Sequence, residues 1–243
     1  MNRATATTLL LLATALHPGC GDAAPAGPAK GKANLVVTVV AQPKTGAKGF
    51  RNYKPSEADK AAAAASTGDF ELVDYEHLDG IVVWFETPTA TDGSSASTVK
   101  VAVKAKPDKV ELFAVSLGDS VTFENTGPRR LRLYSVSEGN EFDLGETAPG
   151  DIASHAFTSP GLVDVLDGNT FDVIARIFVA AGRDARVVHP GTATTFRDLD
   201  PGGYRVVAWH ERLPGAERDV TLAADATREV DLLIGVNALP KVE

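Results

Sequence analysis

The side chains with which this sequence could do chemistry are few and far apart. After the first twenty residues there are four histidines, His77, His155, His189 and His210, and the chain holds one cysteine, Cys20. No two histidines have the His-x-His or His-x-x-x-His spacing that sets two imidazoles on one side of a strand or one face of a helix. To hold a metal, several of His155, His189 and His210 would have to converge with acidic residues from distant parts of the chain. His210, followed by Glu211 and preceded by an apolar segment that ends on Trp209, is the best placed. Asp74-Tyr75-Glu76-His77-Leu78-Asp79 gathers carboxylates suited to a divalent cation, or forms a solvated acidic loop. Arg129, Arg130 and Arg132 make a local basic patch, either a solvated turn or a contact for an anion or acidic partner, since guanidinium groups offer paired donors.

Motifs of catalysis are missing. Gly-x-Ser-x-Gly, a glycine-rich phosphate loop and His-Glu-x-x-His do not occur. Ser97-Thr98-Val99-Lys100 has the Ser-x-x-Lys spacing of penicillin-recognising enzymes, but there the motif opens a helix and here it lies in an alternating strand pattern. The chain is expected to be no enzyme. Its formal charge of −8 repels phosphate backbones, so nucleic acid is not an expected partner.

Cys20 has the most definite setting. Arg3 begins a short basic segment, Leu9 to Leu16 is an apolar run too short to span a bilayer, and Gly19 immediately precedes the cysteine. This reads as a secretory signal over residues 1–19. It resembles the bacterial lipobox, although His17 and Pro18 depart from the usual pattern. The resemblance implies cleavage before Cys20 and lipidation of that residue. The alternative is an ordinary signal peptide with an incidental cysteine. Gly21, not an acidic residue, follows Cys20, which favours the outer membrane, facing the periplasm or the surface.

The elements that position these groups are strands. Residues 20–33, rich in Ala, Pro, Gly and Lys, have nothing to bury and read as a flexible tether. Leu35, Val37 and Val39 begin a strand pattern. Residues 43–79 are an irregular excursion, with a short helix expected after Ser56. Gly80 to Phe85 is a continuous apolar run, the mark of a strand covered on both faces. Strand signals then recur at Val99–Val103, Val110–Leu117, Val121–Phe123, Leu131–Val136, Leu162–Leu166 and Val173–Val179, separated by Gly, Pro, Asn and Asp turns. A further set follows at Thr194–Leu199, Tyr204–Trp209, Val220–Leu222 and Val230–Ile234. Tyr204, Val206 and Ala208 should share one face, with Val207 and Trp209 on the other. Many short strands with such turns predict an all-β sandwich architecture.

Between Val110 and Val179 the sequence resembles cupredoxins of the methylamine-utilisation or plastocyanin-like kind. The resemblance rests on Leu117 to Asn125, Tyr134-Ser135, Phe142-Asp143-Leu144-Gly145, Ala148-Pro149-Gly150, Pro160-Gly161 and Ala175 to Val179. Thr194 to Ile234 is similar to the carboxypeptidase regulatory-like, or transthyretin-like, module, through Leu199 to Val206 and Ala208 to Glu211. These resemblances imply a Greek-key cupredoxin-like sandwich over residues 34–181, extended by the N-terminal strands, packed on a small Ig- or transthyretin-like sandwich over 182–243. A cupredoxin binds copper through two His, a Cys and often a Met. The resemblance places Leu131 at the first His, and Asp167, Thr170 and Val173 at the Cys, His and Met. It therefore implies the fold without the copper.

The expected function is that of a non-enzymatic, exported lipoprotein without cofactor. It would act as a binding or assembly module for an unidentified envelope protein or small ligand, anchored to a membrane by lipid. The alternative is a periplasmic copper-binding or electron-transfer protein with non-standard ligands. A third reading, a carbohydrate-active or hydrolase accessory protein, wants exposed aromatic platforms, whereas both tryptophans read as core.

Overall fold

The structure is a computed structural model that describes residues 27–43, 75, 78–87 and 96–235. The signal segment, Cys20, His77, half of the tether, most of the excursion with the helix expected after Ser56, and half of the Asp74–Asp79 cluster lie outside the described residues. Fifteen strands are described. Strands β1 (Ala33–Ala41) and β2 (Ile81–Glu86) come first. There follow β3 (Thr98–Val103), β4 (Leu112–Ser116), β5 (Ser120–Asn125) and β6 (Leu131–Ser135). Next are β7 (Phe142–Thr147), β8 (Ile152–Ala156), β9 (Gly161–Asp167) and β10 (Val173–Ala180). The last five are β11 (Arg183–Val188), β12 (Ala193–Leu199), β13 (Gly202–His210), β14 (Leu213–Leu222) and β15 (Thr227–Ile234). The expected all-β class holds.

The strands form four sheets, in the orders β12-β1-β15, β11-β2-β13-β14, β4-β10-β9-β6-β7 and β3-β5-β8. The first two enclose one core, with Leu35, Val37, Phe85, Phe196 and Val206 at its centre. The last two enclose a second, built on Val101, Phe123, Leu131, Phe157 and Ile177. A third, smaller cluster of Val82, Trp84, Phe178 and Ala180, with Val207 and Trp209 beside it, joins the two sandwiches. The result is a stack of four β layers whose two inner sheets are covered on both faces.

This explains the apolar run at Gly80–Phe85. β2 lies between β11 and β13, with Ile81, Val83 and Phe85 turned into the first core and Val82 and Trp84 into the joint. β13 divides as its alternation requires: Tyr204, Val206 and Ala208 enter the first core, Val207 and Trp209 the joint. At the turn from β10 into β11, Gly182 lies so close to the Phe85 carbonyl and the Trp84 ring that a Cβ there would collide with both. Only glycine lets the chain pass between the inner sheets at that point.

The division of the chain differs from the expected boundaries. β1 and β2 do not extend the sandwich formed by β3 to β10. β1 pairs antiparallel with β12 and parallel with β15, and β2 pairs with β11 and β13. The segment from β3 to β10 is thus inserted between β2 and β11 of a sandwich that the two ends of the chain build together. Periodicity reveals that a strand is covered, not which strands cover it, so the alternation of β1 was compatible with either partner set.

Candidate functional site: the cleft at the sandwich joint

An open cleft of about 440 Å3 lies at one end of the joint between the two inner sheets. Its sides come from strand ends. Asp79 and Gly80 precede β2, Lys109, Val110 and Glu111 precede β4, Arg176 and Leu162 lie on β10 and β9, and Val187 and His189 close β11. Trp209, His210 and Glu211 end β13. The floor is apolar, with Leu112, Leu162 and Trp209, and the rim is charged.

The rim charges, Glu111 apart, are matched. Lys109 Nζ pairs with the Asp79 carboxylate, and His189 Nδ1 stands 3.8 Å from it. Arg176 donates to Glu211 Oε2 at 2.9 Å and lies 3.0 Å from Asp164 Oδ1. Trp209 stacks on Phe178 with ring centroids 4.2 Å apart. One side of the indole is thereby fixed to the joint, and the half-buried residue also lines the cleft.

His210 is buried, and both ring nitrogens are engaged. Arg212 N–H donates to Nδ1 at 3.1 Å, so the neutral ring carries its proton on Nε2, which donates to the Asp79 carbonyl at 3.1 Å. Burial pushes its pKa down, the Asp79 backbone bond and Glu211 opposing and Arg212 adding a little. With a folded-state value below the unfolded one, the unfolded chain takes up the proton first as pH falls. Stability should therefore decrease as pH drops through the ordinary imidazole value of 6.5 towards the lower folded value. His155, depressed by burial on β8, adds to the same trend. Urea melts at a series of pH values should show that slope, and His210→Gln should flatten it. An unchanged slope in the variant would assign the trend to other groups.

The sequence candidates are only partly brought together. His189 and His210 share the cleft, but His155 lies on the outermost strand of the β3-β5-β8 sheet, with its ring 4.4 Å from Phe142 and 4.9 Å from Phe157. The three do not converge, and no group of three or more metal-binding side chains occurs among the described residues. Of the acidic cluster, Asp79 is on the cleft rim. Arg132 of the basic patch is committed to Asp143 at 2.6 Å, which together with the Gly145 N–H holds the Asp143 carboxyl below its usual range. Arg130 approaches Glu146 at 4.0 Å, and Arg129 is exposed. Lys109, Glu111 and Arg176 carried no sequence signal as a site, because their proximity is created by strand pairing.

The four positions that the cupredoxin resemblance assigns to copper ligands do not fit that metal. Leu131 is fully buried in the second core, Val173 is paired at the start of β10, and the Thr170 hydroxyl is buried with no hydrogen-bond partner among the described residues. Asp167, 2% exposed, accepts hydrogen bonds on Oδ1 from Arg132 N, Asn169 N and Asn169 Nδ2 at 3.1–3.2 Å. These residues offer neither thiolate nor imidazole, and the carboxylate is engaged in holding the β9–β10 loop. That loop also turns through Phe171 at φ +62°, a left-handed conformation that costs a non-glycine residue about 1–2 kcal/mol, and the residue is 73% exposed.

No family model matches the sequence, and no curated protein matches it. Among solved structures, the chain is similar to a novel purple cupredoxin from Nitrosopumilus maritimus, at 15% identity and a TM-score of 0.29, over 34% of this chain and 99% of that one. It is similar to a Cu(I) point mutant of amicyanin at 19% identity and TM-score 0.28, over 40% of this chain and 98% of that one. A second amicyanin mutant, reduced at pH 4, gives 15% identity and TM-score 0.29, with 40% and 98% covered.

Proposed function

We propose that the chain is a non-enzymatic, exported lipoprotein, anchored through Cys20, that works as a binding module of the cell envelope and engages its ligand or partner at the cleft. The observation that carries this reading is the opposition of tether and cleft. The tether docks beside the start of β1: Lys32 Nζ reaches Asp200 at 2.7 Å, Ala29 N–H donates to Asp198, and Gly31 N–H donates to Asp225. Asp200 lies just before the start of β13, and the cleft lies at the other end of that strand, where β13 finishes and β2 begins. A nine-residue strand such as β13 is about 30 Å long. A lipid on Cys20 would thus hold one end at the membrane and turn the cleft away from it. In this reading the segment from β3 to β10 is a cupredoxin-like scaffold without copper, and the flanking strands are the transthyretin-like module.

Two measurements on the full chain test it. Palmitate labelling and membrane fractionation in a bacterial host should succeed for the native chain and fail for Cys20→Ser. Elemental analysis and copper titration of the purified protein should give near-zero copper and no visible absorption band. A protein that stays soluble and unlabelled, or one tightly held copper per chain, overturns the proposal.

A further inference from the structure

The chemistry of the cleft narrows what it can hold. Each of its basic groups already faces a carboxylate: Lys109 and His189 face Asp79, and Arg176 faces Glu211. An anionic ligand would have to displace Asp79 or Glu211 from their partners, and a cationic one, beyond a single contact with Glu111, would have to displace Lys109 or Arg176. Either exchange gives up an existing ion pair for each new one. A hydroxyl needs no such exchange, because it accepts from an ammonium or guanidinium and donates to the neighbouring carboxylate at once. Matched donor–acceptor pairs along a rim therefore suit a neutral, hydroxyl-rich molecule.

Two further groups extend the same pattern. The exposed Glu111 carboxylate has no ion pair among the described residues, and the Trp209 indole N–H makes no hydrogen bond among them. One is an acceptor and the other a donor, and both line the cleft. The floor of Leu112, Leu162 and the indole offers apolar surface of the kind that the C–H face of a pyranose ring covers. The volume, about 440 Å3, falls in the lower part of the range of small-ligand clefts, ~300–1,000 Å3, with room for one or two sugar rings.

We propose that the cleft between the two sandwiches binds a neutral saccharide of one or two rings, packed on Trp209 and hydrogen-bonded by Glu111 and the Lys109–Asp79 and Arg176–Glu211 pairs. This rests on the reading of the chain as a binding module, but its test is separate from the lipid and copper measurements, which can succeed while it fails. The purified protein is applied to an array of neutral, acidic and amino mono- to tetrasaccharides, and the strongest neutral hit is titrated by tryptophan fluorescence and calorimetry. Neutral glycans should bind, and both Trp209→Ala and Glu111→Gln should raise the Kd at least about tenfold. Because Trp209 also packs in the joint, Glu111→Gln is the variant that reads the site without touching a core. An array with no hit, hits confined to charged glycans, or a neutral glycan whose Kd is unmoved by Glu111→Gln would overturn the proposal.

Discussion

Phe85→Ala is expected to destabilise the protein by about 3–5 kcal/mol, the cost of truncating a large buried aromatic whose cavity cannot collapse. Phe85 is fully buried on β2, the strand flanked by β11 and β13. Its ring meets Phe196 edge-on at 5.3 Å and Tyr204 edge-on at 5.4 Å, so it ties the outer sheet of the first sandwich to the inner one. Those edge contacts add to the area term. Collapse is resisted from behind, because the backbone of the same residue is pressed against Gly182 at the crossing between sandwiches. For a chain of this length the loss corresponds to a fall in Tm of roughly 6–20 °C. It should be measured by denaturant melts followed both by circular dichroism and by tryptophan fluorescence. Trp84 and Trp209 both sit at the joint, so fluorescence reports the contact between sandwiches. Coincident transitions would mean that the inserted strands and the enclosing sandwich unfold together. A loss under about 1 kcal/mol would contradict the packing of β2 as a doubly covered strand.

What the sequence revealed and what it concealed follow from the same physics. The alternation in β13 and the unbroken apolar run of β2 were readable, because each reports how many faces of one strand are covered. The edge strands β7, β8 and β11 gave no strand signal of that strength. Each has a neighbour on only one side of its sheet, and Glu146, Ser154 or Arg186 can stand where a central strand would need apolar side chains. Pairing was concealed altogether. β1 and β15, which lie side by side in parallel register from Asn34↔Thr227 to Ala41↔Ile234, are separated by nearly the whole chain. The cleft was hidden for that reason. His210 and Glu211 stood out as polar residues at a strand end, and Asp79 as one of a run of acids. Nothing local to Lys109, Glu111 or Arg176 could signal that pairing of β4 with β10 and packing of the inner sheets would set them on one rim. The residues at the copper-ligand positions were legible in type but not in use. That Asp167 would organise a loop required its three donors, one from the start of β6 and two from Asn169 in the loop itself.

Asp167→Ala should test that use, at an expected cost of about 2–4 kcal/mol, since hydrogen bonds to a charged acceptor contribute about 1.5–3 kcal/mol each and do not add fully. The substitution isolates the side chain. The backbone carbonyl of residue 167, which accepts from Thr170 N at 3.1 Å and Phe171 N at 2.7 Å, is unaffected, as is the Gly168 N–H bond to the Arg132 carbonyl at 2.7 Å. What is lost is the bridge from Oδ1 to Arg132 N and Asn169, which links the end of β9 to the start of β6. Asp167→Asn keeps an oxygen in that place and should cost only about 1 kcal/mol, the part owed to the charge. Urea melts of the two variants, with hydrogen exchange at residues 167–173 to localise the effect, give the comparison. If alanine costs less than about 0.5 kcal/mol, the backbone bonds alone hold the loop and the carboxylate is incidental. If alanine costs far more than asparagine, the acceptor itself maintains the loop.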